Sequence, residues 1–155
     1  MTDLALRHHA DRVSIGLFRR NRIRLHAISN VSEFKANLRD ARLIEAAMNE
    51  AVDQATPLVW PAPPSPAAPL AAAHAEMDRA LGGASLLSVP MYDGEHFYAA
   101  MLFERRSEAV FRPDEIDLIE ATVSVIAPIL KEKGANDAWL MTKAGRSAVH
   151  QLKRL

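Results

Sequence analysis

The stretch Ser85-Leu86-Leu87-Ser88-Val89-Pro90, followed by Met91-Tyr92-Asp93-Gly94 and then Phe97-Tyr98-Ala99-Ala100-Met101-Leu102-Phe103-Glu104, decides the fold. Both arms are rich in Leu, Val and aromatic residues, which suit a pleated, half-buried surface. Asp93-Gly94 between them is a strong hairpin signal, because a two-residue turn needs positive φ. The stretch is therefore predicted to form two antiparallel strands, 85–90 and 97–104.

Upstream, Ala71 to Leu81 reads as a helix that stops at Gly82-Gly83. Five prolines between 61 and 69 exclude helix and central strand there, so that segment is a loop of polyproline character. Leu58-Val59-Trp60 reads as a short strand. Residues 38–54 carry Leu38, Ala41, Leu43 or Ile44, Met48, Ala51 and Val52 at helical spacing. Val13, Ile15 and Leu17, then Ile23, Leu25 and Ala27, alternate as strands do. Arg20-Asn21 between them suits a tight turn. A short helix around Leu4-Ala5-Leu6 opens the chain.

Downstream, Pro113 opens a helix whose first turn holds Asp114 and Glu115. Its apolar stripe is Ile116, Ile119, Val123, Ile126 and Leu130. Pro128 is expected to kink it and Gly134 to end it. Residues 137–155 then read as a further, basic helix. Two antiparallel hairpins separated by helices give an α+β fold, a mostly antiparallel sheet flanked by helices, plus a C-terminal helix. The expected division is a domain over 1–134 and a basic amphipathic or juxtamembrane segment over 135–155.

Composition narrows the function. The chain has 155 residues, 49% of them apolar and 25% charged, the balance of one ordinary globular domain. It has no cysteine, which excludes disulfides, thiolate metal sites, cysteine nucleophiles and thioether-linked chromophores. Nineteen basic side chains balance nineteen acidic ones, so nothing points to nucleic acid. The charge is uneven, however. Residues 1–42 hold nine basic against four acidic side chains, 43–130 four against thirteen, and 131–155 six against two. Basic ends are compatible with a nearby polyanionic surface such as a membrane. No apolar run reaches the length of a membrane span, and the start has no signal-peptide pattern. The expected location is the cytoplasm or the cytosolic face of the inner membrane.

The run Ser88-Val89-Pro90-Met91-Tyr92-Asp93-Gly94, the small pair Ala99-Ala100, then Phe111 and the helix from Pro113-Asp114-Glu115 resemble the signature region of GAF domains. Arg12-Val13-Ser14-Ile15-Gly16-Leu17-Phe18 with Ile23 to Ala27 resembles that family's first hairpin. The resemblance covers about 12–133. Ala99-Ala100 stands where the family often has glycine. More narrowly, Arg12 to Gly16 and the tail Asn136-Asp137-Ala138-Trp139-Leu140 resemble GAF segments of bacterial membrane-fusion proteins of the HlyD type. That resemblance implies a fragment of a transport-associated protein, with residues 137–155 close to a membrane.

What the family implies is a regulatory or interaction domain rather than an enzyme, dimeric through its helices. The alternative it implies is a small-molecule sensor, with a pocket between the sheet and segment 55–84. Trp60, His74 and Met77 would line that pocket, and Arg24, His26 and Ser29 would reach across from the strand. Independently of the resemblance, the six histidines show no metal-ligand spacing, so no metal and no cofactor is expected. Ser29, Ser85 and Ser88 lack a nucleophile elbow. Gly82-Gly83-Ala84 lacks the Lys and Ser/Thr of a phosphate loop. Asn30-Val31-Ser32 matches a glycosylation sequon that a cytosol-facing chain would never present to the modifying enzyme.

Overall fold

The computed structural model describes residues 2–29, 38–106 and 109–152, with side-chain surroundings given as far as Glu132. The sequon at 30–32 lies outside the described residues. The elements are α1 (Thr2–Arg7), β1 (Arg12–Arg19), β2 (Arg22–Ile28), α2 (Leu38–Asp53), β3 (Leu58–Trp60), α3 (Ala72–Leu81), β4 (Ser85–Asp93), β5 (His96–Arg105) and α4 (Pro113–Leu152). Five strands form one sheet in the order β2-β1-β5-β4-β3, every pair antiparallel.

Both turns follow from their residues. Arg20 and Asn21 take positive φ, 50° and 68°, as a tight hairpin turn requires. Gly94 takes φ 60° after Asp93. Gly82, at φ 75°, ends α3 in the left-handed conformation, and its N–H donates back to Arg79. Gly16 is required by space instead. A Cβ there would stand 2.2 Å from Ile23 Cγ2 and 2.8 Å from Met48 Sδ. The β1–β2 register shifts beside it, between Ile15 and Gly16.

Helices cover both faces of the sheet, so β1, β4 and β5 are buried almost throughout. On one face α1 and α4 pack on Val13, Ile15, Val89, Met101 and Phe103, with Ile119 and Val123 pointing in from α4. On the other, α2 and α3 pack on Ile23, Leu86, Ala100 and Leu102 through Ile44, Met48 and Met77. Arg12 and Glu104, neighbours on β1 and β5, form a buried ion pair, with Arg12 Nε donating to Glu104 Oε2 at 2.8 Å.

Two expectations change here. Gly134 does not end a helix, and α4 runs without a break through Pro128 and Gly134 to Leu152. A single glycine costs about 1 kcal/mol in a helix, which lowers local stability without dictating a stop. The apolar stripe from Ile116 to Leu130 is also largely used up within the fold, which leaves little of it for a dimer through the helices. Ile119 and Val123 are buried against the sheet, and Ile116 and Leu130 pack beside them.

Candidate functional site

The sheet order separates the six candidate residues. β2 and β3 are opposite edges, four strand spacings or about 19 Å apart. Arg24, on β2, is exposed and pairs with Glu45 of α2 at 3.0 Å. His26 is exposed on the same strand. Ser29 is buried, and its Oγ accepts the Val13 N–H at 2.8 Å. These three do not reach the α3 side. Trp60, His74 and Met77 do lie together with α3. Trp60 Nε1 donates to Asp78 Oδ2 at 3.0 Å, and Met77 fills the core between α2, α3 and the sheet.

His74 is the centre of a relay that links three elements. Its Nδ1 lies 2.7 Å from Glu50 Oε2, at the end of α2. Its Nε2 lies 2.8 Å from Ser88 Oγ, on β4. Glu50 also accepts the N–H groups of Ala73, at 3.0 and 3.1 Å, and of His74, at 3.2 Å. Ala71 offers α3 no side-chain cap, so a carboxylate from α2 does that work. Burial holds the His74 imidazole below its ordinary pKa, although Glu50 pulls it upward. Burial pushes Glu50 up, but hydrogen bonds from His74 and the two backbone N–H groups leave it below the ordinary carboxylate value. The consistent state is neutral His74, donating from Nδ1 to Glu50 and accepting the Ser88 hydroxyl at Nε2.

Glu50–His74–Ser88 has the order of an acyl-transfer triad. It cannot act as one in this fold. Ser88 and His74 have no solvent exposure, so no acyl carbon can approach Oγ. The relay is a structural clamp between α2, α3 and β4. The sequence suggested neither Glu50 nor Ser88 as its partners. A usable signal was present, because His74 precedes Met77 by one turn on the inward face of α3, where a polar ring must find partners.

Segment 55–84 borders two openings, and Trp60, His74 and Met77 line neither. Met77, Ala84 and Leu86 fill the space beneath it. An opening of about 420 Å³ lies at its rim, lined by Pro61, Asp78, Gly83 and Arg106, and none of the six candidates lines it. No group of three His, Asp or Glu side chains able to hold a metal occurs among the described residues. No described helix is long and apolar enough to cross a membrane.

The outer face of α4 is the second notable surface. Leu118, Val125 and Ile129 are 58%, 72% and 64% exposed there. Thr122 lies between them, its hydroxyl donating to the Leu118 carbonyl at 2.8 Å.

Residues 2–130 match the family described as the GAF domain. Solved structures of similar fold include the GAF domain/HD domain protein from Geobacter sulfurreducens, at 17% identity and TM-score 0.60, covering 84% of this chain and 88% of that one. The GAF domain of a two-component sensor histidine kinase from Bacillus halodurans matches at 13% identity and TM-score 0.55, over 85% and 96%. GAF3 from Slr1393 of Synechocystis, in its photoproduct state, matches at 14% and 0.58, over 88% and 92%. No curated protein sequence matches significantly. The narrower resemblance to membrane-fusion proteins gains no support from these matches, and the tail residues from Asn136 that suggested it lie beyond the described side chains. The sheet, the two covering helix layers and the match over most of the chain agree: this chain belongs to the GAF domain family.

Proposed function

We propose that the chain is a non-enzymatic regulatory and interaction domain that works as a homodimer through the outer face of α4. The carrying observation is the exposed triplet Leu118, Val125 and Ile129, on a helix whose inner face is already used by the sheet. Positions 118, 122, 125 and 129 recur at steps of four, three and four, the spacing of a coiled-coil seam. Large aliphatic side chains in such a row cost free energy in water until a partner covers them. The stripe differs from the one expected from the sequence, but the helix is the same.

The sealed Ser88–His74 pair supports the non-enzymatic part of this reading. A sensor with its pocket beneath segment 55–84 has less support, because Met77, Ala84 and Leu86 occupy that space. The test is sedimentation equilibrium of the chain over a wide concentration range. Dimer is expected, and monomer throughout would refute the reading.

A further inference from the structure

A cleft on the α4 side of the sheet carries chemistry that neither the relay nor the outer face of α4 uses. It lies between α4 and the outer end of the β4–β5 hairpin, with a volume of about 450 Å³. That falls in the range of small-molecule sites, about 300–1,000 Å³. The opening has a cause in the strand pairing. β3 pairs with β4 only from Leu86 to Ser88, so Val89 to Asp93 have no strand partner on that side, and Ala55 and Pro57 border the opening. Pro90 sits in that stretch, where a missing N–H is tolerated.

The lining is apolar with acceptors and no available cation. Val89, Met91, Val123 and Ala127 supply apolar wall. Glu120 contributes a half-buried carboxylate, and among the described residues no basic side chain pairs with it. Burial, with Asp117 adding to it, raises its pKa above the ordinary value. Tyr98 also lines the cleft. Pro128 has no N–H, so the Ser124 carbonyl lacks its usual α-helical donor. The basic side chain of the lining, Lys131, is engaged by Asp93 across the mouth.

We propose that this cleft binds a small organic cation, a protonated primary amine on a compact apolar body, with its ammonium on Glu120. An ammonium brings three donors and no acceptor, which suits a carboxylate, a phenolic oxygen and a helix carbonyl. An anion would meet Glu120 with no free cation to offset the repulsion. A metal ion would find one unpaired carboxylate, too few ligands to replace its water.

The site lies on the flank of α4 between 120 and 131. At 100° per residue that flank is roughly 150° round the helix from Leu118, Val125 and Ile129. A bound amine and a partner helix therefore do not compete. The amine would add a second tie between hairpin and α4, beside Lys131–Asp93, and so bears on the helix that carries the outer stripe. The binding claim itself does not depend on dimerisation.

The test is an amide-resolved NMR titration of the whole chain with 2-phenylethylamine, compared with phenylacetate and 2-phenylethanol. Saturable shifts are expected at Met91, Tyr98, Glu120 and Ala127 with the amine, and binding at least about tenfold weaker for the anion and the alcohol. Glu120→Gln, nearly isosteric, should weaken the amine about tenfold and leave the rest of the spectrum in place. Absent shifts at millimolar amine, equal binding of the three probes, or an unchanged affinity in a folded Glu120→Gln would overturn the proposal. Should that variant fail to fold, the comparison of the three probes on the wild-type chain decides alone.

Discussion

Asn49 on α2 holds both backbone groups of Ile23 on β2. The Ile23 N–H donates to Asn49 Oδ1 at 2.9 Å, and Asn49 Nδ2 donates back to the Ile23 carbonyl at 3.1 Å. Two residues on, Glu45 accepts the Leu25 N–H at 2.9 Å. β2 is an edge strand, so these groups would otherwise face water or another chain. The helix side chains stand in for a sixth strand.

Asn49→Ala removes two bonds to a half-buried edge and should cost about 1–3 kcal/mol in urea unfolding. It should also uncover a strand edge, so a rise in concentration-dependent light scattering is expected. Asn49→Asp keeps an acceptor for the Ile23 N–H but loses the donor, and should fall between the two. A midpoint unchanged by Asn49→Ala would show that the edge needs no closure.

The relay allows a sharper test. His74→Ala leaves Ser88 unpartnered, strips Glu50 of its side-chain donor and opens a void, so a loss of about 3–5 kcal/mol is expected. Ser88→Ala removes one hydroxyl and leaves Nε2 of a neutral imidazole without a donor, for about 1–2 kcal/mol. The double variant should lose less than the sum, because the two share one bond. Additive losses would separate Ser88 from the relay.

Acid should weaken the fold in two windows. His74 and His8 both sit below the ordinary imidazole value of 6.5, each chiefly through burial. The unfolded chain therefore takes up protons first, and stability present above about pH 6.5 falls as the pH drops through the folded-state values. Glu115 is held at about 2, first by the hydrogen bond from Arg105 and then by the Arg112 N–H, against an ordinary value of 4.5. Glu50 is lowered too. Their contribution is present above about pH 4.5 and is lost toward pH 2. Urea midpoints should step down between pH 7.5 and 5.5, and again below 4.5. His74→Phe, which removes one titrating ring, should flatten the first step. A midpoint constant from pH 7.5 to 5.5 would contradict the burial argument.

The order of the elements was legible because local chemistry dictates it. Gly94 and Arg20-Asn21 take positive φ, Pro113 starts a helix, and Gly82 ends one. The site was not legible to the same degree. Glu50, His74 and Ser88 are 24 and 14 residues apart, and only the packing of α2 and α3 on β4 makes them neighbours. Arg24 and Trp60 were expected to share a pocket, yet strand order puts them on opposite edges, and no local pattern encodes that order. The cleft beside Pro90 depends on where β3 stops pairing, which is likewise a property of the assembled sheet.

The last expectation concerns two residues six apart on α4, Ile119 and Val125. Ile119 is fully buried against Phe103 and its neighbours in the sheet-facing core, whereas Val125 points outward, 72% exposed. Ile119→Ala should cost about 2–5 kcal/mol of stability, because it leaves a cavity in that core. It removes no atom from the outer stripe, so the dimer should persist wherever the protomer is folded. Val125→Glu buries no charge in the protomer, so at a protein concentration where wild type is monomeric its unfolding midpoint should move by no more than about 0.5 kcal/mol. In a seam it would place two carboxylates face to face, and the dimer should dissociate. Glu is also the better helix former, so weakened helicity cannot account for that loss. Thermal unfolding and sedimentation of the two variants, run side by side, separate inward packing from outward pairing. A Val125→Glu chain that remains dimeric would place the partner surface elsewhere on the fold.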